Sequence, residues 1–223
     1  MLNTALGDTW SFFKNHFISL SLIILPLVIP LEIFSYLYLY SLESGEANPG
    51  VGMVLNSVYI LVYPIYSIAV VFYISSVISD RRYTLNELYS FGLRYWLPYL
   101  FLTIVTGIIV LAGIMLFIIP GIIFLIKFSF AQFELLFKQQ KVVDAMRSSW
   151  GMTGKYFFVL VGGYLIITVL IYAPVFLYAS TLEEPIDIPH HFKIAANIIY
   201  SVFNVVYTIF AFRVYEFSKE DGV

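Results

Sequence analysis

The stretch that decides the fold is VGMVLNSVYILVYPIYSIAVVFYISSVIS, residues 51–79, which contains no Asp, Glu, Lys or Arg. A hydrocarbon core of about 30 Å is crossed by about 20 apolar helical residues, and this stretch exceeds that length. Its apolar residues run on without alternating, so it reads as a helix in lipid and not as a barrel strand. Outward from it lie five more runs: 17–42, interrupted by Glu32; 98–119, uncharged; 122–137, with Lys127 and Glu134; 156–179; and 194–217, with Arg213 and Glu216 near its far end. The run 122–137 is short enough to be re-entrant instead of spanning. The composition agrees: 61% of the 223 residues are apolar and 12% charged, with mean hydropathy +0.89. A soluble domain carries about a quarter charged residues to wet its surface.

The same numbers remove several functions. A net charge of −2 leaves no basic excess for a phosphate backbone, so nucleic acid is not an expected partner. The absence of cysteine excludes disulfides, thiolate metal sites, catalytic thiols and palmitoylation. Asp8 and the lack of a small-residue cleavage site after the first run predict that the first helix is retained.

Cations are held on the cytoplasmic side of a membrane protein. With six crossings and both termini cytoplasmic, that side carries Lys14, Arg81, Arg82, Arg94, Lys138, Lys141, Arg147, Lys155 and Lys219, against Lys193 outside. Omitting the fourth crossing would throw Lys138, Lys141, Arg147 and Lys155 to the wrong side. The outer loops, 43–50 and 180–193, are acidic, and Tyr36, Tyr38, Tyr40 and Tyr178 stand near the outer ends, where amphipathic rings favour headgroups.

Each pair of crossings is preceded by an amphipathic segment: 2–14, 84–96 and 141–154. Leu2, Ala5, Leu6, Thr9 and Phe13 share one helical face; Thr84 and Glu87 have capping-box spacing; Val142, Ala145, Met146 and Trp150 form a third apolar stripe. The fold class expected is therefore all-α and polytopic, a single membrane domain over residues 1–223. Its six transmembrane helices form three hairpins, each led by a cytoplasmic amphipathic helix. The alternative is six helices with amphipathic linkers and no repeat.

Asp8, Phe12-Phe13-Lys14-Asn15-His16-Phe17, Pro120-Gly121-Ile122-Ile123, Ala145-Met146-Arg147-Ser148-Ser149 and Phe212-Arg213-Val214-Tyr215 carry a family resemblance. On these motifs, which spread over nearly the whole chain, it resembles the YciC-like bacterial inner-membrane proteins. More distantly it resembles the membrane domain of some glycerophosphodiester phosphodiesterases. The resemblance implies a bacterial inner-membrane location and a role in envelope or phospholipid homeostasis, and it supplies no catalytic residues. Lys127 and Glu134 depart from it, standing where apolar residues are expected.

Ionisable groups inside a bilayer find partners or mark a pathway. Counting helical rise from each end places Glu32 with Lys127 in the outer half and Glu134 with Arg213 near the cytoplasmic boundary, so those two ion pairs are expected. Snorkelling to the headgroups is the alternative. Pro26 and Pro30 remove backbone donors just before Glu32 and are expected to break the helix, making residues 26–32 a candidate cavity wall, with a kink packed against neighbouring helices as the alternative; Pro64 and Pro174 remove donors in helices two and five, and Pro120-Gly121 is a break between helices three and four. Asn197, Ser201, Asn204 and Thr208 recur at helical spacing and should point inward, as glue between helices or as a polar conduit. Gly107, Gly113, Gly162 and Gly163 read as close-contact sites. His190 and His191 near Glu183, Glu184 and Asp187 lack diagnostic metal spacing, so neither metal nor cofactor is expected. No serine sits in a nucleophile elbow, and an enzyme is not expected. Arg81, Arg82, Arg94, Lys138, Lys141, Arg147 and Lys155 are candidates for lipid-headgroup contact. The functional expectation is a non-enzymatic protein that binds or organises membrane lipids, with envelope proteins or a second copy as possible partners. A small-solute or lipid transporter or channel is the alternative.

Overall fold

A computed structural model describes residues 1–45, 48–180 and 190–221, apart from the side chains at 43, 49, 175, 178–180 and 190–193. Residues 183–189 of the acid–histidine loop and the side chains of Tyr178, His190, His191 and Lys193 thus lie outside what is described. Among those described, every regular element is helical: α1 (Leu2–Glu43), α2 (Pro49–Ile78), α3 (Leu85–Arg94), α4 (Trp96–Leu116), α5 (Ile118–Lys127), α6 (Ala131–Phe137), α7 (Val142–Ser180), α8 (His190–Phe203) and α9 (Val205–Glu220). Six spans are long and apolar enough to cross a membrane, with α5–α6 and α8–α9 each making one of them. The chain is a multi-pass integral membrane protein.

The elements differ from the expected boundaries in four places. The segments 2–14 and 141–154 are the first turns of α1 and α7, because no Pro, Gly-rich turn or cap interrupts the chain before the apolar run; α1 is about 63 Å long. Only residues 85–94 form a separate short helix. There Thr84 Oγ1 accepts from Glu87 N–H (3.3 Å), and the Glu87 carboxylate accepts from Thr84 N–H (2.7 Å) and from the Thr84 hydroxyl (2.9 Å), which in that order hold the carboxyl below its ordinary value. The turn between the third and fourth spans falls at extended Phe117, three residues before Pro120. Pro120 then occupies the first turn of α5, where its missing N–H is not needed. Gly121 lets the two helices touch: a Cβ there would stand 2.9 Å from Ile114 N. The last span breaks at Asn204, between α8 and α9.

Pro26, Pro30, Pro64 and Pro174 do not end their helices. A proline exposes carbonyls one turn back, and two of these prolines have donors supplied from the α3–α4 region. Tyr89 Oη donates to Ile23 O (2.8 Å), three residues before Pro26, and Trp96 Nε1 donates to Leu61 O (2.6 Å), three before Pro64.

Helix α1 packs on α2, α8 and α9 and runs antiparallel to each, so the chain's two ends meet and close the bundle. The contacts progress in step: Asp8 with Arg213, Phe13 with Phe203, and Glu32 with Asn197. Tight packing is concentrated at the end of the bundle that holds both termini. Phe13, Phe133, Ala145, Tyr156, Phe210 and Tyr215 are buried there, together with Thr9, Glu134, Ser149 and Thr153. Toward the opposite, loop end fewer side chains are buried, and Met53, Val54 and Ile60 of α2, Ile108 and Leu111 of α4, and Leu170 and Phe176 of α7 are exposed. An apolar surface of this extent is covered by lipid.

Candidate functional site: a tyrosine-lined cavity within the bundle

Polar residues of several helices border common space between them. One cavity, of about 560 Å³, is lined by Glu32, Tyr63, Tyr66, Tyr172 and Tyr200 together with Asn197, Ser201, Asn204 and Thr208. A second, of about 550 Å³, shares Tyr63 and Tyr172 and continues past Tyr99, Thr103, Thr106, Gln132, Tyr164 and Tyr207. Each has the volume of a small-molecule site.

The polar stripe of the last span faces this space as its spacing predicts. It shares it with polar stripes that the sequence reading missed: Tyr99, Thr103 and Thr106 on α4, and Tyr164, Thr168 and Tyr172 on α7. These recur at intervals of three and four, the same signal as Asn197, Ser201 and Asn204. Tyrosines, however, were read only as interfacial anchors.

Hydroxyls are joined across the helices. Thr168 Oγ1 and Tyr207 Oη lie 2.7 Å apart, Tyr99 Oη donates to Gln132 Oε1 (2.9 Å), and Tyr172 Oη donates to Asn204 Oδ1 (3.3 Å). Glu32 stands at the loop-side end of this system, 6% exposed. Its carboxylate accepts from Asn197 Nδ2 (3.3 Å) and from the Tyr59 hydroxyl. Among the described residues no cation faces it.

Neither expected ion pair forms. Lys127 lies near the terminal end, not in the outer half, because α5 meets α7 at its first turns: its ammonium donates to Trp150 O (3.3 Å) and sits 5.3 Å from the Trp150 ring centroid. It is therefore far from Glu32. Glu134 is fully buried, accepts from Tyr215 Oη (2.7 Å), and has the Lys138 ammonium 3.0 Å from its Oε2. Arg213 pairs instead with Asp8 (Nε to Oδ2, 2.8 Å) and covers the Phe217 ring. Counting helical rise put Glu134 and Arg213 at a common level but misplaced Lys127, and azimuth chose the partners.

The headgroup candidates lie on the terminal end or the first turns of α7. Arg81, Arg82, Lys141 and Arg147 are exposed, Arg94 stands over the Tyr95 ring, Lys138 serves Glu134, and Lys155 pairs with Asp221 (2.7 Å). Lys155 first, and the Tyr156 hydroxyl second, hold the Asp221 carboxyl below its ordinary value. Of the glycines, Gly113 and Gly163 are close contacts and Gly162 approaches Leu2, whereas Gly107 has open space around it. Among the described residues no three His, Asp or Glu side chains come together.

On the opposite face of α8 from the cavity lies an apolar groove of about 700 Å³ between α1 and α8. Leu22, Pro26, Ile29, Ile199 and Phe203 line it, and Ser21 is the one polar residue among its described walls. Helix α8 thus presents Asn197, Tyr200 and Ser201 inward and Ile198, Ile199 and Val202 to the groove. No family model, curated protein or solved structure matches the chain, so this geometry carries the functional reading alone.

Proposed function

We propose that this protein binds an amphiphile of its own membrane, holding the polar part in the tyrosine-lined cavity, and that it organises lipid rather than catalysing a reaction. The observation that carries the reading is the cavity's placement. Its lining carries hydroxyl, amide and carboxylate groups among apolar ones, and it lies between apolar spans whose outer faces lipid reaches. Polar walls at membrane depth are costly unless a ligand or water meets them, so the cavity suits a polar occupant. The groove beyond α8 has the character of an acyl-chain site. The bilayer we assign is the bacterial inner membrane with both termini cytoplasmic, in keeping with the one-sided placement of Lys and Arg and with the YciC-like resemblance.

Native mass spectrometry of the chain in nanodiscs tests this. About one phospholipid per chain should survive delipidation and be lost in Ser201→Trp, which fills the cavity, at unchanged helicity. Retention of bulk lipid alone, equal in both proteins, refutes it. Glu32 at membrane depth favours a second reading, passage of a small solute. That reading requires solute flux through vesicles containing the chain and its loss in Glu32→Gln.

A further inference from the structure

We propose that the Glu32 end of the cavity recognises an ammonium group, lipid-borne or free. The inference rests on the reading that the cavity holds a polar occupant. Three features converge on one small volume. The first is a carboxylate 94% withdrawn from solvent, oriented by Asn197 and Tyr59, with no described cation opposite it. An ionised carboxylate at that depth is strongly destabilised unless a positive charge or a proton meets it.

The second is aromatic. Tyr63 and Tyr66 meet edge to face at 5.5 Å on α2, and Tyr172 and Tyr200 stack at 5.3 Å on α7 and α8. All four rings border the space that Glu32 enters. Ring faces around a carboxylate attract an alkylammonium twice, through the quadrupole and through the opposite charge. The third is the lining itself, whose described residues include no Lys or Arg and no second carboxylate. A phosphate or carboxylate ligand would meet an anion there with nothing to offset it, whereas an ammonium completes the site.

The test uses the full chain in phosphatidylglycerol nanodiscs, which contain no ammonium. Choline and its neutral carbon isostere 3,3-dimethylbutanol are titrated from water, and phosphatidylethanolamine is doped into the disc, with thermal shift and native mass spectrometry as readouts. Choline, or phosphatidylethanolamine if the source is a headgroup, should bind at least about tenfold tighter than the neutral isostere or the host lipid. Glu32→Gln should abolish that preference. Tyr172→Phe should keep it, and Tyr172→Leu should weaken it several-fold, because the ring and not the hydroxyl is required.

Lys193 stands four residues before Asn197 in the sequence. Lys193→Met should leave the affinity for choline or phosphatidylethanolamine unchanged; if that affinity appears only in this variant, the chain's own lysine is the cation and the proposal falls. It falls equally if the isostere binds as tightly as choline or if Glu32→Gln changes nothing. In those cases a lipid bound without regard to headgroup charge would leave the proposed function standing, whereas a cavity that retains no lipid overturns both.

Discussion

Replacing Gly163 by Ala probes the junction that holds the cavity wall to the packed end of the bundle. Gly163 of α7 faces the ring of Phe210 of α9, which is fully buried and edge-to-face with Tyr164 at 5.8 Å. A methyl group would enter the ring's own volume: even Phe210 Cε2 would lie 2.7 Å away, where ordinary contact begins at 3.4 Å. Ring and methyl must therefore part by at least about 0.7 Å in a region packed to near-crystalline density. Phe210 has no free space to retreat into, so α7 and α9 must separate, and the 2.7 Å Thr168–Tyr207 hydroxyl contact one turn along must stretch. Overpacking of this kind costs about 1–3 kcal/mol.

The cost is read from thermal or SDS-titrated unfolding in detergent. Gly107→Ala is the control, because nothing lies within 4 Å of a Cβ there, and it should be neutral or gain up to about 1 kcal/mol from helix propensity. Phe210→Leu combined with Gly163→Ala should recover part of the loss, a non-additivity expected of side chains in contact. A Gly163→Ala protein within about 0.5 kcal/mol of the parent, or a double variant that is simply additive, would refute the close packing of α7 on α9.

Four further outcomes follow from particular contacts. Tyr215→Phe removes the hydroxyl that serves the fully buried Glu134 and should cost about 1.5–3 kcal/mol in the same unfolding assay, since the charged acceptor stays buried. Tyr89→Phe and Trp96→Phe each leave a carbonyl near a proline without its side-chain donor and should cost about 0.6–1.5 kcal/mol apiece, measured in the same way. Asp221 is held below its ordinary pKa of 3.8; a depressed carboxyl stabilises only while ionised. The Lys155–Asp221 tether should therefore be at full strength above that value and be lost as pH falls through the depressed one. Amide exchange at the end of α9 should show this loss, and Asp221→Asn should remove the pH dependence. The chain has no cysteine, so Asn48→Cys and Arg82→Cys can be labelled singly with an impermeant maleimide, and the two sites should react from opposite faces of the membrane.

How much of the site was legible can be seen by comparing Asn197 with Lys127. Asn197, Ser201 and Asn204 are polar residues in an otherwise apolar run, and helical spacing alone requires them to share a face; the structure turns that face toward the cavity. Lys127 is as conspicuous in sequence, yet its neighbour is Trp150, because α5 begins at Ile118 and meets α7 near the terminal end. Nothing in a linear pattern reports which helix stands beside which. The tyrosines are a different case. Tyr164, Thr168 and Tyr172 carried the same periodic signal, but a ring with one hydroxyl suits a lipid interface and a polar interior equally well, so composition could not choose.

What the sequence by itself determined is the multi-pass helical character of the chain. Hydrocarbon thickness and the need to satisfy every backbone polar group in lipid leave uncharged runs such as residues 51–79 no other form. The Thr84–Glu87 cap was settled in the same way, since both partners lie within one turn. Tertiary structure decided what depends on relative helix placement: the continuity of α1 and α7 through their amphipathic starts, the donors from Tyr89 and Trp96 near two prolines, the partners of Glu32 and Glu134, and the cavity itself. Those contacts join residues far apart in the chain, and their energies depend on azimuth and crossing geometry, which hydropathy does not encode.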